Sequence, residues 1–271
     1  MSGYVDLHSH LLPGIDDGSR SVEQSVAVLE AMAAGGVETL ALTPHVTASE
    51  IADHPDDVVE QRDETFAILK PEAPEKPRLV LGFEIMLDEP LSAKSLADRR
   101  FSVAGSRYFL VEFPINVSPV RFRDALKEYE ENGVVPLVAH PERYFRLSIP
   151  DLANIRRRGA RLQIDAIDVT RRNPRSRRAR ELVKAGLADV IASDNHGDAK
   201  IVSAAVRYLE EHGHKDVAHV LAMENPCAVV EDREMVAVRP AKIKIGWGAG
   251  FRKAIDRVKA EKRKGESPPA A

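Results

Sequence analysis

Short apolar runs alternate with amphipathic segments along most of this chain, and this alternation restricts the fold more than any other feature. Strands that alternate with helices form parallel βαβ units. We place seven strands at 4–8, 39–43, 79–83, 107–113, 134–139, 161–165 and 188–193. Helices are predicted at 22–34, 56–70, 119–131, 175–185 and 199–211. In a chain of 271 residues, seven such units favour a single α/β barrel, incomplete or distorted, with an open doubly wound sheet as the alternative.

Local signals support two of the helix boundaries. Ser21 and Gln24 have the spacing of a capping box at the start of the 22–34 helix, and Gly35-Gly36 stops it. Gly186 is predicted to end the 175–185 helix. Helix 119–131 should bury one stripe of side chains. That stripe consists of Phe122, Ala125, Leu126 and Tyr129.

Histidines and acids stand at the ends of the predicted strands. They are His8, His45, Glu84, Glu112, His140 and Asp194. Imidazoles and carboxylates are ligands of divalent metal ions, and in barrels the active site lies at the carboxyl ends of the strands. Taken singly, a histidine of this set can equally be a hydrogen-bonded structural residue. A carboxylate at the end of an apolar strand is costly to bury without a partner, so the full set predicts a polynuclear metal site.

The ordered motifs resemble the polymerase-and-histidinol-phosphatase (PHP) superfamily of metal-dependent phosphoesterases, and within it the bacterial capsule-associated protein-tyrosine phosphatases. The matching segments are DLHSHLLPGIDDGS at 6–19, VEFP at 111–114, HPERY at 140–144 and ENP at 224–226. The resemblance implies a distorted (β/α)7 TIM-like barrel, the PHP fold. It also implies two to three divalent cations, manganese first, with iron or zinc as alternatives.

The resemblance assigns a ligand set to each cation. His8, His10, Glu84 and Asp194 would hold the first. Glu84 would bridge to a second, which Glu112 and His140 complete. Asp17, His45 and His196 would hold the third.

The same resemblance implies a reaction, in which a metal-bridging hydroxide attacks the phosphorus of a phosphoester. Glu142 and Arg143 would be the catalytic residues, with Arg143 and Lys200 contacting the substrate. A planar guanidinium can bind a phosphate bidentately. The implied substrate is a phosphotyrosine protein, with a tyrosine kinase of polysaccharide synthesis as a candidate. The segment after Asp194-x-His196 has Lys200 where these phosphatases usually carry arginine.

Three other functions stay open at this point. One is a small-molecule phosphatase such as a histidinol phosphatase. Another is a nuclease, although a net charge of −3 does not favour nucleic acid as a partner. The third is a PHP-like binding module with weakened catalysis.

Cysteine-based phosphatase chemistry is not expected. Cys227 and Arg233 have the spacing of cysteine-based tyrosine phosphatases, but Ala-Val-Val-Glu-Asp between them lacks the glycine-rich phosphate loop, so we expect Cys227 to be structural.

Composition and the two ends bear on location and domain organisation. The single cysteine excludes an intramolecular disulfide, and neither a signal peptide nor a spanning segment is visible, so we expect a cytoplasmic protein. We assign 1–234 to the barrel and 235–271 to a basic extension with a helix at 251–264 and a disordered end. That helix either packs on the barrel or makes a peripheral membrane contact.

A second basic segment follows the sixth predicted strand. Six arginines stand between positions 171 and 180, at 171, 172, 175, 177, 178 and 180. They either form a solvated helix face or a docking surface for a phosphorylated or acidic polymer on the active-site side.

Overall fold

All the strands that the structure describes run parallel. The structure is a computed structural model, and it describes residues 3–243. The strands are β1 Tyr4–Asp6, β2 Val37–Leu42, β3 His45–Thr47, β4 Arg78–Leu81, β5 Glu84–Met86, β6 Tyr108–Glu112, β7 Val135–Ala139, β8 Arg161–Asp165 and β9 Val190–Ala192.

Helices lie in six of the eight connections between these strands. They are α1 Val22–Ala34, α2 Ala48–Asp53, α3 Pro55–Leu69, α4 Ala93–Ala97, α5 Pro119–Ala125, α6 Lys127–Glu131, α7 Ile149–Arg157, α8 Ala166–Thr170, α9 Pro174–Lys184, α10 Val202–Glu211, α11 Lys215–His219 and α12 Asn225–Val230. Three 3-10 turns, at Arg99–Phe101, Val103–Gly105 and Pro141–Arg143, and a π-helical turn, Val220–Glu224, complete the regular structure of the described range.

The strand order follows the chain order around the molecule. One sheet has the order β1-β2-β4 and the other β3-β5-β6-β7-β8-β9. A parallel bridge between Ser9 and Asn195 joins the chain just beyond β1 to the chain just beyond β9. The His10 amide donates to the Asn195 carbonyl at 2.8 Å, and the Asp194 amide donates to the His8 carbonyl at 3.1 Å. A doubly wound sheet would reverse its order at one point, so the distorted (β/α)7 barrel is confirmed.

The distortion lies in the second and third strand positions. At each position a second short strand follows the predicted one after a two-residue break, since Thr43-Pro44 separates β2 from β3 and Gly82-Phe83 separates β4 from β5. The sequence prediction missed β3 and β5, because an X-Pro step and a glycine both indicate the end of a strand. After each break the chain pairs in a different sheet.

Two helix predictions need correction. The predicted 119–131 helix is divided at Leu126 into α5 and α6, although the predicted stripe of side chains is buried throughout. The capping box at α1 is only half formed. The Ser21 hydroxyl accepts from the Gln24 amide, whereas Gln24 Oε1 accepts from the Arg20 amide at 3.0 Å and its Nε2 donates to Gly197 at 2.9 Å. Gln24 thereby connects α1 to the loop after β9.

Successive side chains along the strands point alternately into two different layers of the core. Tyr108 and Leu110 of β6 pack with Leu137 of β7 in one cluster. Phe109 and Val111 belong to the larger cluster shared with the helices. Side chains two residues apart on a strand face the same side, so Glu112 continues the face of Tyr108 and Leu110.

Part of the predicted extension packs against the barrel. Val238, Ala241 and Ile243 are buried in the larger core cluster, and the Val236 amide donates to Asn225 Oδ1 at 2.8 Å. Gly186 has φ +67° and ends α9 as predicted. A Cβ on it would lie 2.9 Å from the Val238 carbonyl oxygen, so glycine is required here for packing as well as for φ. The predicted basic helix at 251–264 lies outside the described residues.

Among residues 3–243, the structure contains no helix that combines the length and apolar character needed to cross a bilayer.

Candidate metal centre

The nine predicted ligands lie together, and six of them end or follow strands. His8 and His10 follow β1, Glu112 ends β6, His140 follows β7, and Asp194 and His196 follow β9. The remaining three occupy other positions. His45 and Glu84 are the first residues of β3 and β5 and pair in register, while Asp17 lies in the loop before α1. The breaks in the second and third strand positions therefore determine where two of the ligands lie, His45 and Glu84.

The most buried group consists of four side chains whose ligand atoms lie within 4.8 Å of one another. They are His8, His10, Glu84 and Asp194. Glu84 Oε2 lies 3.0 Å from His8 Nε2 and 3.3 Å from His10 Nε2. Asp194 Oδ1 lies 3.4 Å and 3.5 Å from the same two nitrogens. This group coincides with the predicted first set.

Glu84 also belongs to a second group. His45 Nδ1 lies 3.2 Å from Glu84 Oε2 and 3.4 Å from Glu112 Oε1, and these three residues form a compact ligand cluster. The sequence prediction gave His140 this place. His140 Nε2 lies 2.8 Å from Glu84 Oε1 but 3.8 Å from Glu112 Oε2. His45 and His140 therefore approach the Glu84 carboxylate through different oxygens.

The third group is the most exposed. It contains the predicted Asp17, His45 and His196, together with His10. Asp17 Oδ1 lies 3.4 Å from Nε2 of both His45 and His196, and its side chain is 74% exposed. His45 presents Nδ1 to the second group and Nε2 to this one.

Several features of the site fit bound cations. Glu84 Oε2 and Asp194 Oδ1 are buried atoms without a hydrogen-bond partner among the described residues. A buried carboxylate oxygen that lacks a donor is strongly destabilising unless a cation neutralises it. The backbones of His140 and Asp194 have φ +34° and +49°, in the left-handed region that non-glycine residues avoid. Such strain is typical of functional sites.

A surrounding layer of hydrogen bonds orients the imidazoles. His10 Nδ1 donates to Asp16 Oδ2 at 2.8 Å, and His8 Nδ1 donates to Gln163 Oε1 at 2.9 Å. Asp16 Oδ2 also accepts from the His45 amide at 3.1 Å. Such contacts hold a ligating histidine in the correct tautomer. The sequence prediction included neither Asp16 nor Gln163 in the site, although Asp16 adjoins the predicted ligand Asp17.

The ionisable groups of the centre shift one another's pKa. Burial opposes protonation of His8, but the charges of Glu84 and Asp194 outweigh it and raise its pKa to about 9. Burial likewise opposes ionisation of Glu84, yet the surrounding imidazoles hold its pKa well below the usual range. For His196, burial and the charge of His10 both lower the pKa. Since a metal binds neutral imidazole, loading this centre is coupled to proton release.

Arg143, Lys200 and Glu142 occupy different positions relative to the centre. Arg143 Nη2 contacts the Asp194 carboxylate and lies 2.9 Å from Asp165 Oδ2. Lys200 Nζ donates to the Asp194 carbonyl at 2.7 Å. Glu142 is fully buried, and its Oε1 accepts from the Asp165 amide at 2.7 Å. Burial and the neighbouring Asp165 charge raise the pKa of Glu142 well above its usual range.

A parallel β/α barrel with a shared carboxylate and clustered imidazoles at the carboxyl ends of its strands defines a class, the metal-dependent barrel enzymes. Within it, this chain belongs to the capsular polysaccharide synthesis family CpsB/CapC, whose profile matches residues 4–231.

Known relatives agree with this membership. The chain is 27% identical over 197 residues to the tyrosine-protein phosphatase YwqE of Bacillus subtilis, covering 71% of this chain and 77% of that protein. It is 24% identical over 246 residues to the tyrosine-protein phosphatase CpsB of Streptococcus agalactiae, covering 84% and 98%.

A solved structure supports the fold. It is described as one of YwqE from Bacillus subtilis and CpsB from Streptococcus pneumoniae, metal-dependent tyrosine phosphatases. The superposition has a TM-score of 0.72 at 24% identity and covers 89% of this chain and 99% of the other.

Proposed function

We propose that this chain is a metal-dependent protein-tyrosine phosphatase. The observation that carries the proposal is the position of Glu84, whose carboxylate is shared between two ligand groups while Arg143 contacts the neighbouring Asp194. Shared carboxylates are typical of centres that hold closely spaced cations. Relatives covering most of the chain are named tyrosine-protein phosphatases, which supports the substrate class.

The described residues are suited to three divalent cations, manganese being the expected metal. His8, His10, Glu84 and Asp194 would hold one. Glu84 and Glu112, with His45 or His140, would hold the second, and Asp17, His45 and His196 the third. When bound, such ions lower the pKa of a coordinated water and neutralise charge on phosphoryl oxygens.

The chain's own residues would bind and orient the phosphate. The Arg143 side chain is 26% exposed and is held by Asp165 and Asp194, so part of its guanidinium remains open to an incoming anion. Lys200 Nζ, fixed by the Asp194 carbonyl, adds a second positive charge on the same side. A tyrosine phenolate has a pKa of about 10, so it leaves with little help from a general acid.

The contacts of Glu142 support a positioning role in place of direct proton transfer. Its buried carboxyl accepts from the backbone of Asp165, which in turn contacts Arg143. We infer that Glu142 acts on the substrate through Asp165 and Arg143.

Phosphate release from three substrates tests the proposal. The metal-loaded protein should hydrolyse a phosphotyrosine peptide well above histidinol phosphate and an oligonucleotide. Greater activity on histidinol phosphate would favour the small-molecule alternative. Failure on all three by a protein that retains its metal would favour the binding module.

Two variants separate phosphate binding from metal binding. Arg143→Ala should lower kcat by about two to three orders of magnitude, as loss of one positioned donor does, while keeping the metal content. His140→Ala should lower activity and metal content together, because His140 Nε2 faces Glu84. Undiminished turnover in Arg143→Ala would refute its phosphate role.

We further propose a tyrosine kinase of polysaccharide synthesis as substrate and the cytoplasm as location. Membership of the capsular polysaccharide synthesis family supports the first. Peripheral membrane contact through the basic extension stays a prediction, since residues 244–271 lie outside the described range.

A further inference from the structure

The six arginines between positions 171 and 180 have different roles in the structure. Arg180 is buried, and its Nη1 donates to the Val169 and Arg171 carbonyls at 2.9 Å and 2.8 Å. Arg178 donates to the Leu147 carbonyl. Arg177 pairs with Glu181 at 3.0 Å along α9. These three have partners within the fold, whereas Arg171, Arg172 and Arg175 are exposed and form no ion pair among residues 3–243.

Two of the exposed arginines line a groove next to the metal centre. The groove has a volume of about 510 Å³. Arg143 and Lys200 line it, and both contact the predicted ligand Asp194. Arg171 and Arg175 line it as well, whereas Arg172 does not. Its volume is within the usual range of ligand pockets, about 300–1,000 Å³.

An exposed aromatic ring forms one wall of the same groove. Phe145 is 55% exposed, an unusual exposure for a phenylalanine. The Arg178 guanidinium lies 5.9 Å from the centre of its ring, within cation–π range. Ile167 contributes a second apolar side chain to the lining.

The charge of the groove is positive. Four basic side chains line it, Arg143, Arg171, Arg175 and Lys200, against two acids, Asp165 and Asp168. Both acids are buried; Asp165 is paired with Arg143, and the charge of Arg175 acts on Asp168. Lys200 Nζ lies 3.3 Å from Asp198 Oδ2. Within residues 3–243, the Arg171 side chain makes no hydrogen bond or ion pair. Positive charge therefore remains available to a ligand.

We propose that this groove, named here the arginine groove and formed by Phe145, Arg171 and Arg175 with Arg143 and Lys200, binds phosphotyrosine segments whose neighbouring residues are acidic. The proposal rests on the proposed function and adds the sequence class of the substrate. The phosphate lies by Arg143, the tyrosine ring contacts Phe145, and flanking carboxylates pair with Arg171 and Arg175. An acidic peptide fits because the groove combines an aromatic wall with the exposed guanidinium groups of Arg171 and Arg175.

Binding of a non-hydrolysable peptide tests the groove directly. Two fluorescent peptides carry phosphonomethyl-phenylalanine in place of phosphotyrosine, flanked by three glutamates in one and three glutamines in the other. Fluorescence anisotropy with the metal-loaded full chain gives each Kd. We expect the glutamate peptide to bind about five- to twentyfold more tightly at low salt, the sum of two partly exposed charge pairs.

Three variants assign that preference to residues. Arg171→Gln/Arg175→Gln should remove it. The matched control Arg172→Gln changes an exposed arginine outside the groove and should retain it. Phe145→Ala should weaken both peptides by a similar factor, because both carry the same ring. Equal Kd values for the two peptides with the unmodified protein, no binding of either, or a preference that survives the double substitution would overturn the proposal.

Phosphate release from the corresponding phosphotyrosine peptides separates this proposal from the proposed function. Discrimination in binding without turnover of any phosphate ester would leave the groove standing and reject the phosphatase. Turnover at equal kcat/KM for both peptides would leave the phosphatase standing and reject the groove.

Discussion

Asp16 contacts two residues of the metal centre without belonging to a ligand group. Its carboxylate accepts from His10 Nδ1 and from the His45 amide. Burial opposes its ionisation, but the hydrogen bond and charge of His10 outweigh this and lower its pKa. Asp16 therefore remains a carboxylate and holds His10 with Nε2 directed at the metal site.

Replacing this carboxylate should weaken metal binding. We expect Asp16→Asn to reduce metal affinity about 10- to 100-fold, the usual effect of losing a carboxylate that orients a histidine ligand. Competition with a chelator of known affinity measures the change. Asp53→Asn, which removes an exposed acid of α2, is the control and should leave the affinity unaltered. Equal affinities for both variants would show that Asp16 does not orient His10.

Tyr129 carries a buried hydroxyl that has no hydrogen-bond partner among the described residues. Tyr129→Phe should raise the free energy of unfolding by about 1 kcal/mol, since an unsatisfied buried hydroxyl costs about 1–3. Tyr108 is the matched control, because its hydroxyl donates to the Arg233 carbonyl at 2.7 Å and Tyr108→Phe should destabilise. Urea denaturation at pH 7 measures both changes, and the same sign for the two would contradict this account.

The buried Tyr129 should also make the stability of the fold depend on pH. Burial raises the pKa of Tyr129 above its ordinary value of 10.0. When a group has a higher pKa in the folded state than in the unfolded state, stability is at its full value below the unfolded pKa. It falls as the pH rises above the unfolded pKa, because unfolding then releases a proton. Between about pH 9 and 11, a window set by the unfolded tyrosine pKa of about 10, the unmodified chain should lose stability more steeply than Tyr129→Phe.

At the scale of elements, helix α2 positions the segment that carries His45. Thr47 caps this helix in a reciprocal capping box with Glu50 and also ends β3, two residues after His45. Thr47→Ala should lower the free energy of unfolding by about 1 kcal/mol, the typical cost of losing such a cap. Thr65→Ala is the control, because that hydroxyl bonds only the Gln61 carbonyl within α3. An equal effect of both substitutions on chemical denaturation would contradict the role of the cap.

Elements with strong periodicity were predictable, and elements made by tertiary contacts were not. Strand 161–165 and helix 22–34 have the predicted bounds. Strands β3 and β5 have three residues each, too few for a periodic pattern. Helix α8, also missed, has five residues and is stabilised from outside, since Arg180 of α9 donates to its Val169 carbonyl. Contacts of this kind leave no signature in the local sequence.

At the scale of the molecule, the gathering of the ligands and two of their three groups were predictable, and the place of His45 beside Glu84 and Glu112 was not. Parallel strands direct their carboxyl ends to one side, so residues at those ends had to meet. Which nitrogen of His45 faces Glu84 depends on side-chain rotation after the break at Thr43-Pro44. The arrangement of Asp16 around His10 depends on a loop. Neither is set by spacing along the chain.

The whole molecule should depend on its metals for stability, because the predicted ligands come from most strand positions of the barrel. Cations that bind only the folded state stabilise it by about 2.7 kcal/mol per site at a hundredfold excess over Kd. For a chain of this size each kcal/mol corresponds to about 2–4 °C in Tm. A strong chelator should therefore lower Tm by at least about 5 °C, in a single transition, and excess metal should restore it.

In Glu84→Gln, which weakens the shared ligand, the chelator should produce less than half that shift. An unchanged Tm in a protein shown to have lost its metal would mean that the barrel holds its carboxylates and imidazoles in place by hydrogen bonds alone.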